Sequence, residues 1–431
     1  MLAARKNKKI IKVLEKIDDI DWVNLKHAYG SATDVPNDIR NLTSLDKKIR
    51  DKALNNLYGN IFHQGTRYEA TPYAIPFLYE LIENEYVKDK HRIIYLLVSL
   101  ALGYEEEYLP EGINPEKFRS ELLESEANMT YEQRSNCEKY MYSATALINC
   151  YDTVKEGIPI LFRCLKSDDK KFRKAAIYAI SWFPEEAENS IPKIIEVLSQ
   201  LEGEIEISNA VLAIGLLNKQ LKNDINLSTV NNYLNSNSEL IRISSAIALA
   251  KNPIDEIILE KLIEGIKSGE SLNYVEGVLF NEGRVSGFAS ITLSKYGKSE
   301  KERIIPVLCQ VLESVNSYQA LDITGAIMSI INDKRTKPIK DENLEDLNPL
   351  EIKVLNSIYE HGGWTLGTSG FVNYSELLRS AGMPDSKEKL KRFLNNEPID
   401  SKDEVNKKEK RQPRTMCKNV IASIRQLLRL C

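Results

Sequence analysis

Four times the chain sets isoleucine before proline and then repeats one apolar spacing. The segments are Ile75-Pro76-Phe77-Leu78, Ile158-Pro159-Ile160-Leu161, Ile191-Pro192-Lys193-Ile194 and Ile305-Pro306-Val307-Leu308. Leu or Ile returns two positions after each proline (Leu78, Leu161, Ile194, Leu308) and again six after it (Ile82, Leu165, Leu198, Leu312). The fifth position holds Leu81, Cys164, Val197 or Val311. Offsets of two, five and six fall on one stripe of an α-helix. Proline is tolerated in a first helical turn, where its missing N–H costs nothing, so the spacing predicts a helix starting at each proline.

A second class of helix alternates with these. Asp168–Ile180 and Asn237–Ala250 align on Arg173 and Arg242, with small residues two and three positions later (Ala175, Ala176; Ser244, Ser245). Alanine recurs at six (Ala179, Ala248) and an aliphatic at seven (Ile180, Leu249). Small residues let two helices approach closely, and the larger ones fill the groove between layers. Ser143–Cys150, Ile207–Leu217 and Ser286–Ser294 read as further copies.

Pro159 and Pro192 lie 33 residues apart, room for two helices and their turns. These units resemble HEAT repeats, paired-helix modules that stack because no single pair can bury its own apolar face. The expected architecture is all-α: an α-solenoid (superhelix) of stacked HEAT-like helix pairs. Its divisions are an N-terminal helical cap (1–70), the repeats (71–335), C-terminal helices with a Gly-rich loop (336–395), and a charged tail ending in a short basic helix (396–431).

Composition narrows the function classes. The formal net charge is −4, which advertises neither nucleic acid nor a membrane surface. The charge is uneven: residues 386–431 hold 13 Lys+Arg against 6 Asp+Glu, leaving about −11 on the remainder. Six cysteines (137, 150, 164, 309, 417 and 431) form no CxxC pair, which argues against a zinc site or a disulfide framework and suits a reducing compartment. The basic N-terminus lacks a signal-peptide core, and the longest apolar run, Ile93–Leu102, is too short to span a bilayer. A cytoplasmic location is expected.

Upstream of the repeats the residues are more distinctive. His27-Ala28-Tyr29-Gly30, Asp34-Val35-Pro36, Gly59-Asn60-Ile61, His63-Gln64-Gly65-Thr66, Tyr68, Ala70 and Pro76-Phe77-Leu78 occur in an order that resembles a family of largely uncharacterised bacterial proteins with phycobilisome-lyase-type HEAT-like repeats. The resemblance covers about the first hundred residues and returns at Ala381–Leu394. It implies a helical solenoid with a binding role, and it carries over no catalytic residue.

The same stretch has a sufficient physical account. Gly59-Asn60 suits a helix C-terminus in left-handed conformation. Gly65 permits a tight turn, and Thr66 or Thr71 can cap the next helix. His63 and Gln64 then hydrogen-bond turn amides and carbonyls. The alternative for His63, Gln64, Arg67 and Tyr68 is contact with a ligand or partner. A catalytic His63–Glu69 pair lacks a fixed geometry and a nucleophile.

Arg173 and Arg242 have two readings that can hold together. One is an Asp–Arg ladder, with Asp168 or Asp169 reaching Arg173. The other is a concave binding surface shared with Arg163 and Arg284. His361–Phe371 is glycine-rich but lacks the GK[ST] ending and a preceding strand, so a phosphate loop is excluded and a flexible loop is expected. Trp364 in it either contacts a partner or plugs the last repeat. Histidines 27, 91 and 361 are too dispersed for a metal centre. No catalytic residue, metal or cofactor is expected. The tail 400–419 reads as a charged linker, and Val420–Leu430 as a basic amphipathic helix with Arg425 and Arg429.

The expected function is a non-enzymatic scaffold that engages a protein or peptide partner on its concave face. The acidic body suggests an immunity or antitoxin-like role against a basic toxin or nuclease. The alternative is nucleic-acid binding, or a HEAT-like DNA glycosylase, which needs a basic stripe and an aromatic-carboxylate pocket around an extruded base. A bilin lyase or chaperone rests on fold analogy alone.

Overall fold

The structure, a computed structural model, describes residues 14–130, 143–221 and 227–399. The basic N-terminal stretch, the charged tail and the expected helix at 420–430 lie outside them. Among the described residues the chain forms nineteen α-helices and three hairpins of two-residue strands, so the protein is all-α.

The helices pack largely in sequence order as two layers. α1 (Val35–Asn41) and α2 (Lys47–Asn60) pair at the N-terminal end. The inner layer runs α4 (Lys90–Leu102), α8 (Lys170–Ile180), α10 (Glu204–Asn218), α12 (Glu239–Leu249), α14 (Val285–Tyr296), α16 (Ser317–Ile331) and α18 (Val372–Ser380), each packed on the next. The outer layer is α3 (Thr71–Glu83), α6 (Ala144–Glu156) continuing into α7 (Ile158–Cys164), α9 (Ala187–Leu198), the short α11 (Ser228–Asn232), α13 (Glu256–Lys267), α15 (Lys301–Leu312) and α17 (Pro349–His361). α5 (Pro115–Ala127) leans on α6, and α19 (Lys387–Leu394) on α17. One apolar core extends from Leu14 to Phe393.

The repeated spacing does what the sequence predicts for the core. Ile75, Ile158, Ile191 and Ile305 are buried, as are Leu78, Leu161, Ile194 and Leu308. The prolines themselves sit elsewhere than expected. Only Pro159 lies in a first turn; Pro76, Pro192 and Pro306 lie inside α3, α9 and α15. Each is the sixth residue of its helix and removes a bond to a carbonyl near the helix start. In α9 and α15 those carbonyls belong to the exposed Glu188 and Glu302, where water can satisfy them. Ser143–Cys150 also differs from expectation: it opens outer helix α6 and is not an inner copy.

Three helix starts are tied to later parts of the chain by a device written as Ser-x-Asp/Ser-x-x-x-Arg. Ser44, Ser167 and Ser236 each accept, through Oγ, the N–H two residues on, at 3.2 Å. Asp46, Asp169 and Ser238 cap α2, α8 and α12. Arg50, Arg173 and Arg242 each donate back to the serine carbonyl at 2.8 Å. Their other arm reaches a carboxylate further along the chain: Asp89 (2.7 Å), Glu206 (2.6 Å) and Glu264 (2.9 Å). The ladder therefore exists, but its rungs run between elements. Asp169 caps its own helix and leaves Arg173 to Glu206, because an N-cap carboxylate is already committed to backbone N–H groups.

The middle of the inner layer is covered on both sides. In α10 every residue from Ile207 to Asn218 is buried. Outer helices cover one side, and two segments of the same chain cover the other. From residues 104–113, Glu105 accepts the Tyr178 hydroxyl (2.6 Å), Pro110 accepts from Lys219 (3.1 Å), and Glu111 pairs with Lys295 (2.6 Å). From residues 273–283, Asn209 clamps the main chain, donating to Gly277 O (3.0 Å) and accepting from Leu279 N–H (2.9 Å). Phe280 then inserts against Tyr178 and Trp182, ring centroids 5.1 and 6.0 Å away. Three successive left-handed residues, Asn281, Glu282 and Gly283 (φ 49°, 52° and 79°), turn the chain out again. Such a run is costly for non-glycine residues. It is held by Val275 N–H on Gly283 O (2.9 Å) and Asn281 on Arg284 O (3.0 Å).

Candidate binding surface at the N-terminal hairpins

The distinctive N-terminal residues converge. β1 (Lys26–His27) pairs with β2 (Gly30–Ser31), and β3 (Phe62–His63) with β4 (Thr66–Arg67). Gln64 and Gly65 form the second turn, with φ of 51° and 81°. Two positive φ values in a two-residue loop define the type I′ turn favoured by strand twist. The hairpins are bound together by Ala28 N–H on Asn60 O and Ala70 N–H on Lys26 O, both 3.0 Å.

His27 is the buried organiser of this knot. Its Nδ1 accepts the Tyr29 N–H (3.0 Å), so the ring proton belongs on Nε2, which donates to Asp34 Oδ1 (2.8 Å). Asn60 donates to the other Asp34 oxygen (2.6 Å). Thr71 closes the second hairpin, accepting from Tyr68 N–H (2.9 Å) and donating to Ile61 O (2.7 Å).

Several expectations for this stretch are thereby corrected. Helix α2 continues through Gly59 and Asn60, so no left-handed terminus exists there; Ile61 follows in right-handed geometry. Thr71 ties the hairpin, and the α3 N-cap, Ala70, has no side-chain cap. In the first hairpin the turn amide, that of Tyr29, is satisfied by His27, and His63 meets the Tyr29 hydroxyl at 3.4 Å.

The predicted site residues divide by where they point. His63 is half-buried beneath Tyr29, ring centroids 5.5 Å apart. Gln64 is exposed at the turn. Arg67 is buried (4% exposed) and points inward, donating to Gly65 O (2.7 Å) and Ala101 O (3.4 Å) at the end of α4. Its guanidinium lies where a side chain at Gly103 would stand, 2.5 Å from an added Cβ, which explains that glycine. Tyr68 is buried, and burial pushes its hydroxyl pKa up to about 12. Glu69 is exposed, and no described contact joins it to His63.

The remaining candidates lie far along the chain and are spoken for. Arg173 and Arg242 are rungs of the ladder. Arg284 donates to Glu282 (3.0 Å) and Asn281 (3.2 Å), and its Nε lies 3.0 Å from Asp322 without hydrogen-bond alignment. Arg163 belongs to outer helix α7 and pairs with Glu83, so the four arginines share no single surface. Trp364 donates to the carbonyls of Ile358 (3.0 Å) and Tyr359 (3.3 Å), plugging the end of α17. The Gly-rich stretch around it, expected as a loop, carries a short hairpin, β5 (Thr365–Leu366) with β6 (Ser369–Gly370).

Beside the knot the chain passes Tyr104, then three half-buried glutamates, Glu105–Glu107. Phe62 bridges Tyr58 and Tyr104, with centroids 5.9 and 6.2 Å away. Withdrawal from water raises the carboxyl pKa of Glu105. For Glu106 the same withdrawal, then repulsion from Glu105, raises it to about 7. On the same segment's far side, enclosure of the Lys219 ammonium lowers its pKa to about 7. Exposed here are Tyr29 (70%), which contacts His63, Tyr104 (38%), which contacts Phe62, and Gln64 at the turn. Sequence reasoning missed Tyr29 and Tyr104. Tyr29 was legible as the tip of a His-Ala-Tyr-Gly turn; Tyr104 is placed only by tertiary packing.

Among the described residues no group of three or more His, Cys, Asp or Glu is arranged to hold a metal ion. No described helix is long and apolar enough to cross a membrane. Compared with known proteins, the chain matches no family model and no curated protein.

Proposed function

We propose that the protein is a non-catalytic binding scaffold for a protein or peptide partner, and that the partner seats on the N-terminal aromatic surface. The observation that carries this reading is that the second hairpin holds two exposed tyrosines at adjacent strand residues, Tyr29 against His63 and Tyr104 against Phe62, beside the Glu105–Glu107 run. Tyrosine brings large contact area at low entropic cost, and the rim is polar. The middle of the inner layer, by contrast, is filled by its own chain. A basic partner suits the charge: residues 1–13 and 400–431 each carry a surplus of five positive charges, leaving −14 on the described residues. An immunity or antitoxin-like role in the cytoplasm is the finer form of this reading. Nucleic-acid binding gains no comparable support, since Arg173, Arg242 and Arg284 each face carboxylates. The test is affinity capture from the native cell with the wild type and the Tyr29→Ala/Tyr104→Ala double variant. The reading expects a partner retained by the first and lost by the second, at an unchanged unfolding midpoint. Identical captured sets would overturn it.

A further inference from the structure

The loop that fills the middle of the inner face is held as a bound peptide is held. The Asn209 side-chain amide donates to Gly277 O (3.0 Å) and accepts the Leu279 N–H (2.9 Å), gripping main chain on both sides of Val278. Lys174 of α8 donates to the same Gly277 oxygen at 2.6 Å. Bonds to main chain ask nothing of side-chain identity, which is read in two other places. Gly277 has φ of 93°, and an added Cβ would stand 3.1 Å from Lys174 Nζ, so this position selects glycine. Phe280, three residues on, fills a socket of Tyr178, Trp182 and Phe288 and is 1% exposed.

The same loop is built to come away as one piece. Val275 N–H on Gly283 O (2.9 Å) joins its ends, the neck of a compact loop. Tyr274 (68%), Glu276 and Glu282 are exposed, so its outer side is open to solvent. Asn281 and Glu282, both left-handed, carry backbone strain that release relieves. The clamp residues stand on α8 and α10, which pack on each other.

We propose that this part of the inner face is a second, masked peptide site, and that residues 275–283 occupy it in place of a partner's segment carrying glycine and, three positions later, an aromatic residue. The incoming segment takes over the Asn209 and Lys174 bonds and the Phe280 socket while the loop swings out on its neck. Its affinity is reduced by the fraction of time the site stands open. The proposal is independent of the N-terminal tyrosine surface, and neither Tyr29 nor Tyr104 enters its test.

The probe is a fluorescein-labelled synthetic peptide of residues 273–283, followed by anisotropy. The full chain with Val278→Gly, Leu279→Gly and Phe280→Gly empties the socket without shortening the loop. It should bind the peptide at least tenfold more tightly than the wild type does. Adding Asn209→Ala should weaken that binding at least tenfold, and a peptide with Phe280→Ala should not bind. No binding by the emptied chain with its helical circular dichroism intact overturns the proposal, as does binding indifferent to Asn209. If the emptied chain fails to fold, hydrogen exchange on the wild type decides. The Leu279 amide should exchange at least a hundredfold faster than those of Val211–Ile214, and faster still with excess peptide present. Equal rates, meaning that the loop leaves only when α10 unfolds, overturn the proposal, and so does a Leu279 rate indifferent to peptide.

Discussion

The N-terminal end and the middle of the inner layer are built from the same kind of helix, yet they meet the surroundings differently. Around α10 the inner face is closed by residues 104–113 and 273–283, and even Trp182 is only 1% exposed. At the N-terminal end two hairpins and the start of the 104–113 segment leave tyrosines standing in solvent. The difference shows that a stack of helix pairs does not by itself provide a binding groove. What the connecting segments do with the inner face decides where a partner can sit.

The sharpest way to break this comparison is to remove the plug. Phe280→Ala should cost about 3–5 kcal/mol, the range for a buried aromatic in a packed core, read as the urea midpoint. A loss below about 1 kcal/mol would mean that segment 273–283 rests loosely on the layer. Next in size is Arg173→Ala, which strips two hydrogen bonds and leaves Glu206 with Lys170 at 3.4 Å. About 1.5–3 kcal/mol is expected from charged hydrogen bonds of this kind. A smaller effect should appear with pH. Glu105 and Glu106 have raised pKa values in the folded state, so the folded protein holds these protons more tightly than the unfolded chain. The favourable contribution of Glu106 is complete below about 4.5 and is lost as pH rises through about 7, and that of Glu105 is lost in the same direction. The Glu105→Gln/Glu106→Gln variant should therefore gain on the wild type between pH 5 and pH 8, measured as the difference in urea midpoints. An unchanged difference would place both carboxyls in water. The smallest stability effect, within about 0.5 kcal/mol, is expected for Tyr29→Ala, whose side chain is largely in solvent. A large loss there would make Tyr29 part of the fold and remove it from the binding surface.

Much of this was legible in the residues, for reasons that can be named. Apolar side chains at fixed offsets around Pro76, Pro159, Pro192 and Pro306 report which face is buried, because burial is what fixes the spacing. They do not report where the helix begins, since a proline near an exposed helix start is tolerated at modest cost. The tight turn at Gly65 was readable because the positive φ it needs favours glycine, whereas Gln64, left-handed beside it, carries no such signal. The partner of Arg173 was not, because Glu206 lies 33 residues on and is brought near only by stacking. The all-round burial of Ile207–Asn218 was written in its apolar run, which a helix with one open face would not carry. The segments that cover it leave no local signal: Phe280 and Tyr104 look like ordinary loop aromatics until the inner helices are in place.

The closed middle is tested most directly through Trp182. With Trp22→Phe and Trp364→Phe substituted, Trp182 is the one tryptophan left in the chain. Its emission should be blue-shifted and nearly insensitive to acrylamide. Red-shifted emission, quenched as readily as free indole, would show water in the middle of the inner face and contradict the account.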